Sequence, residues 1–157
     1  MSIYMKYEGI DGESTAEGHE KWIDVMSLQW GASRGLSAST GTSQNREGTT
    51  TTISDLILTK TTDDSTPYIF KEACVGPGKE VKLHVCKTGE THESYLEYTL
   101  TNCMISGYNV STDGDRPMET ISLSFTRMEL RYVPYDDLNK AGTPVSQIYD
   151  LTLGKMG

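Results

Sequence analysis

The stretch Glu119–Tyr135, ETISLSFTRMELRYVPY, limits what this chain can fold into more than any other. Its apolar residues alternate with polar ones, as the two-residue period of a strand requires, but they do so in two phases. Ile121, Leu123 and Phe125 are odd-numbered, whereas Met128, Leu130 and Tyr132 are even-numbered, so the inward face changes sides near Thr126-Arg127. A bulge or coil there lets one long strand serve two sheets, facing a core with its first half and turning a corner with its second. Pro134 ends the run, because it has no N–H to give a ladder.

Lys21–Gly31, KWIDVMSLQWG, repeats the pattern: Ile23 and Val25 are in one phase and Met26, Leu28 and Trp30 in the other. Matching slips suggest a shared corner. Other strands are read from Ile3, Met5 and Tyr7, ending at Asp11-Gly12, and from Ile53–Lys60, whose near-continuous apolar run suggests cover on both sides. Val81, Leu83 and Val85 form a hairpin with Leu96, Tyr98 and Leu100 around the turn Lys87–Thr91. Cys103–Ser111 follows, then the turn Thr112-Asp113-Gly114-Asp115, and after the loop Asp136–Pro144 a short last strand holds Tyr149, Leu151 and Leu153 in phase. About eight strands at regular turn spacing predict a mainly β fold, an antiparallel barrel or sandwich. With 157 residues the chain is expected to be one domain, able to bury a core without metals or disulfides.

One helix is predicted, in DDSTPYIFKEACVGPGK. Thr66 fits as N-cap with Pro67 at the first helical position, and Gly76 fits just past the end. Phe70, Ala73 and Cys74 share a face by their spacing, joined by Ile69, while Lys71 and Glu72 point away. Two or so turns do not stand alone in water, so the helix is expected to lie on the sheets across one barrel opening.

Ala32–Thr52, ASRGLSASTGTSQNREGTTTT, changes texture, with Leu36 its only large apolar residue. A loop of about 20 residues far exceeds the usual 4 to 6, so it is either functional and ordered from outside its own subunit or a disordered linker.

Lysine plus arginine number 14 against 22 for aspartate plus glutamate, a net charge of -8, which opposes binding to a phosphate backbone. Nucleic acid is not an expected partner. No apolar run approaches the roughly 20 residues of a membrane helix, and the N-terminus MSIYMKYEG lacks the basic and apolar regions of a secretory signal, so folding in the cytoplasm is expected. Cys74, Cys86 and Cys103 are widely spaced in apolar surroundings and read as buried reduced thiols.

Gly76-Pro77-Gly78-Lys79 resembles the end of a phosphate loop, but Ala73 stands where the first glycine belongs and Glu80 where a hydroxyl would hold magnesium. His19, His84 and His92 lack the H-E-x-x-H or C-x-x-C companions of a zinc site and read as solvated or strand-surface side chains. Asp113, Asp115 and Glu119 could gather around a cation, but Asp113-Gly114-Asp115 between two strands is ordinary turn chemistry. There is no G-x-S-x-G elbow, and Asn109-Val110-Ser111 is a glycosylation acceptor that a chain without a signal peptide does not present to the machinery. No catalytic, cofactor-binding or metal-binding residue is expected. An acidic barrel with nine tyrosines and no chemical motif reads as a binding or assembly module.

IDGEST at Ile10–Thr15, GHEKWIDVMSLQWG at Gly18–Gly31, ISDLILTKTTDDSTPYIFK at Ile53–Lys71 and ISGYNVSTDGDRPMETISLSFTRMELRY at Ile105–Tyr132 together resemble the Hcp (haemolysin-coregulated protein) family, the tube protein of bacterial type VI secretion systems. The resemblance implies a small antiparallel β-barrel of two sheets with one short flanking helix. It further implies that six subunits close into a ring and that rings stack into a tube, driven by a contractile sheath beneath a spike protein, with some effectors carried inside. Such a protein is made in the bacterial cytoplasm and secreted through the type VI system without a signal peptide. The loop 32–52, through Arg34, Leu36, Arg46 and Glu47, is the expected ring-stacking element. The alternatives are a monomeric, non-catalytic binding barrel and a toxin carrying an added C-terminal enzyme domain, for which about 22 residues after Tyr135 are too few.

Overall fold

A computed structural model describes residues 1–36, 50–88 and 93–157. In chain order its elements are β1 (Ser2–Tyr7), β2 (Ile23–Val25), β3 (Ser27–Gln29), β4 (Ala32–Ser33), β5 (Thr52–Ile53), β6 (Leu56–Thr61), α1 (Thr66–Val75), β7 (Lys79–Cys86), β8 (Ser94–Ser111), β9 (Met118–Ser124), β10 (Arg127–Tyr132), β11 (Val145–Asp150) and β12 (Lys155–Met156). The larger sheet runs β12-β11-β10-β8-β7-β1-β2, the smaller joins β3, β6, β9 and again β8, and all pairings are antiparallel. β4 and β5 form a separate pair. The mainly β, two-sheet architecture with one flanking helix is the expected one, but the hydrogen bonding does not close into a ring: β2 pairs with β1 and β3 with β6, and no described ladder joins β2 to β3.

Both phase slips fall where the chain changes sheets. β9 pairs with β6 and β8 in the smaller sheet, the chain breaks at Phe125-Thr126, and β10 pairs with β8 and β11 in the larger. β2 and β3 divide likewise at Met26, which is 57% exposed and whose N–H donates to the Thr59 carbonyl at 2.7 Å. The corner opposite the Thr126 break is made by another strand, because the Thr126 N–H donates to the Thr101 carbonyl at 3.1 Å.

That strand is β8, the longest in the chain at 18 residues, and it crosses both sheets without interruption. The sequence reading places two strands there, Leu96–Thr101 and Cys103–Ser111; in the structure the inward phase shifts between them, from Tyr98 and Leu100 to Cys103 and Ile105. The shift is made by Asn102, whose φ of 53° is left-handed; one such residue turns the side-chain phase while the ladder continues on either side. The single strand spanning both sheets is therefore β8 and not the Glu119 stretch.

The core lies between the sheets, where Met5, Leu58, Leu83, Leu100, Ile121 and Leu123 are fully buried. Each such side chain contributes about 1.5–3 kcal/mol relative to exposure. β6 alternates buried Leu56, Leu58 and Lys60 with half-buried Ile57, Thr59 and Thr61, so it is covered fully on one face only. Three ends differ from the sequence reading. The first turn comes at Glu8-Gly9, closed by a Tyr7–Ile10 bridge. Ser65, not Thr66, holds the N-cap position, without a side-chain capping bond, and Thr66 opens the helix with its hydroxyl turned to Glu119. Leu151 and Leu153 lie in the turn between β11 and β12.

Candidate functional site

The smaller sheet carries a buried charge cluster. Lys60 on β6 and Glu119 on β9 are register partners, both point toward the core, and Lys60 Nζ lies 2.6 Å from Glu119 Oε2 and 3.1 Å from Asp63 Oδ1. Thr66 donates its hydroxyl to Glu119 Oε2 at 2.9 Å, and Tyr108 on β8 donates to Glu119 Oε1. Burial, and next the bond to Glu119, push the Tyr108 hydroxyl well above its ordinary pKa, which keeps it a donor. Asp63 also accepts from the Ser65 N–H at 2.9 Å. The start of α1 is thereby fastened to β6, β8 and β9 by groups that find their partners inside the protein. With Lys60 and Glu119 fully buried, the cluster is structural.

The helix presents its faces differently from expectation. Ile69 is fully buried and Ala73 packs against the core, in line with Thr66 and Glu72, and Lys79 bonds Glu72 at 2.7 Å. Phe70 is 58% exposed and meets Tyr108 edge to face at 6.4 Å, while Cys74 is exposed. The packed stripe follows Thr66-Ile69-Ala73, because the polar tether at Thr66 sets the rotation of the helix. Phe70 and Cys74, expected to pack, are exposed on one flank of that stripe, and Tyr68 and Val75 are exposed on the other. Of the three free cysteines, Cys86 and Cys103 are buried.

Arg34 and Leu36 follow β4 and are exposed, Leu36 by 51%. Their neighbours in the expected stacking loop, Arg46 and Glu47, lie outside the described residues, as does His92. Beside β4 and β5, Trp30, Ile53, Met128, Leu130, Ile148 and Met156 line an apolar groove.

His84 lies on a strand surface, as expected, but His19 is buried against it. His19 is 6% exposed, stacks on Tyr4 at 4.9 Å and meets Trp22 edge-on at 4.7 Å; its Nε2 lies 2.9 Å from His84 Nδ1 and 3.9 Å from Cys86 Sγ. Tyr4, His84, Glu97 and Arg131 form a cross-strand row on the face of the larger sheet away from the core. In that row His84 Nε2 is 3.9 Å from Glu97 Oε1, and Arg131 donates to Glu97 Oε2 at 2.9 Å. Burial pushes the Cys86 thiol up to about 11, so it is not a ready nucleophile. Among the described residues no group of three or more His, Cys, Asp or Glu side chains is arranged to hold a metal ion.

Sequence reasoning missed both clusters. Lys60 continues the inward phase of Leu56 and Leu58, and Glu119 that of Ile121 and Leu123, which was a usable signal. His19 and His84 are 65 residues apart in sequence with no local pattern linking them.

Residues 4–132 match the family model described as "Type VI secretion system effector, Hcp". No curated protein sequence matches the chain. Among solved structures, one described as a type six secretion system protein is similar at 28% identity and a TM-score of 0.91, with 99% of each chain covered. Hcp1 from Salmonella typhimurium is similar at 25% identity and a TM-score of 0.80, covering 99% of this chain and 97% of its own. Hcp2 from the same organism is similar at 25% identity and a TM-score of 0.73, with 97% of each chain covered.

Proposed function

Since this chain belongs to the Hcp family of type VI secretion tube proteins, we propose that residues 1–157 act as one tube subunit, six of which close into a ring that stacks with other rings. The observation that carries this reading is the family match over residues 4–132, joined by architectural similarity over 99% of a solved type six secretion system protein. Ring closure needs two different patches on each subunit. The outer edges of β2 and β3, and the exposed apolar side chains of α1, Phe70 on one flank and Tyr68 and Val75 on the other, are candidates for cover by a neighbour. The further partners of this reading are a spike protein, a contractile sheath and effectors that the ring carries or chaperones, and the route is secretion from the bacterial cytoplasm. No described helix is long and apolar enough to cross a membrane.

The subunit acts by assembly and not by catalysis: its richest polar clusters, Lys60-Glu119 and His19-Cys86, are sealed from substrates. The loop at about 32–52 links one ring to the next. Ordering some 20 such residues opposes folding by about 1–2 kcal/mol each, more than Leu36 offsets within a subunit, so a neighbouring ring supplies the contacts. Electron microscopy of the purified protein tests the reading: sixfold rings are expected, and a field of single subunits at every concentration would overturn it.

A further inference from the structure

The segment from Ala16 to Trp22 crosses the solvent side of the larger sheet and is bonded mainly to its own loop, through Lys21 N to Ser14 O, Trp22 N to His19 O and His19 N to Ala16 O. What joins it to the sheet face is the His19 ring, laid on Tyr4 of β1 and set against His84 and Cys86 of β7, with Trp22 also over His84 at 4.6 Å. Tyr4, 5% exposed, and Cys86, fully buried, lie beneath that ring on a face otherwise turned to solvent. The contact thus closes a small second core outside the main one.

Two imidazole nitrogens 2.9 Å apart share one proton: one donates and the other must accept. The closed pair can therefore carry at most three protons on its four nitrogens, a single imidazolium, whereas two released histidines each take up a proton in mild acid. Charged groups around the pair divide. Glu97 on β8 favours an imidazolium at His84, and Glu20 faces His19 from the loop, while Lys82 on β7 and Arg131 on β10 oppose it. Tyr4 and Cys86 are the other groups in contact, and burial holds the Cys86 thiol up at about 11.

We infer that the His19–His84 contact is a proton-sensitive clasp, which holds the segment 16–22 on the sheet while the pair is neutral and releases it when acid protonates both rings. Burial first, then His19, Lys82 and Arg131 against the pull of Glu97, hold His84 down at about 4, below the ordinary 6.5. Between those values the released state binds a proton that the closed state does not, so closure is complete above about pH 6.5 and weakens as pH falls toward 4.

Hydrogen exchange on the full chain, read by mass spectrometry over residues 13–23 and corrected for intrinsic rates, tests the clasp. Linked uptake of one proton lowers protection roughly fifteenfold between about pH 6.5 and about pH 5. His84→Gln, which offers His19 an amide partner but takes up no proton, is expected to abolish most of that change. Equal protection of the wild-type segment at both pH values would overturn the inference even if the variant failed to fold, and so would an unaltered pH response in a folded His84→Gln protein.

Discussion

Lys60 and Glu119 meet at 2.6 Å with both side chains fully buried, directly opposite each other across the β6–β9 ladder. Stranding either charge is costly, while replacing both by apolar groups is far less so. Glu119→Ala is therefore expected to destabilise the subunit by about 3–5 kcal/mol. The double variant Lys60→Met with Glu119→Leu should recover most of that loss in urea denaturation. Equal losses in the single and double variants would mean that the pair does not act as a unit.

Removing the buried Ile69 side chain should cost about 2–5 kcal/mol, and removing the exposed Phe70 much less, about 1 kcal/mol. Denaturation of Ile69→Ala and Phe70→Ala compares them directly. A larger loss at Phe70 would show that the helix packs on its other face.

Asn102 holds φ at 53° in the middle of β8. A β-branched side chain resists that geometry by about 1–2 kcal/mol, whereas glycine adopts it freely. Asn102→Val should lower the melting temperature and Asn102→Gly should leave it nearly unchanged. Equal effects would remove Asn102 as the corner of the strand.

Replacing residues 35–48 by a short Gly-Ser turn should leave rings intact and abolish tubes and secretion. Native stacking should weaken as salt rises, since a polar loop with Arg34, Arg46 and Glu47 offers screened charge pairs. Sedimentation velocity and electron microscopy of the variant give the answer. Dissociation of the rings would assign the loop to ring closure instead.

The sheet changes were legible because alternation is local: Phe125 and Met128 sit out of phase within a few residues, and the chain breaks between them. β8 was not legible as one strand, because a left-handed Asn102 produces the same phase break as a turn does. The helix was found from Pro67 and Gly76, but its rotation was misjudged: counting apolar spacing favoured Phe70 and Cys74, and the deciding contact, Thr66 to Glu119, joins residues 53 apart. Buried polar pairs such as His19 with His84 exist only once the sheets have assembled, so no local pattern announces them.

Assembly is tested most directly by light scattering coupled to size exclusion, run over a range of protein concentrations. The ring predicts six times the 17.4 kDa of one chain, about 104 kDa, or larger stacks of that unit. A constant mass of 17.4 kDa would contradict it and leave a monomeric, non-catalytic binding module.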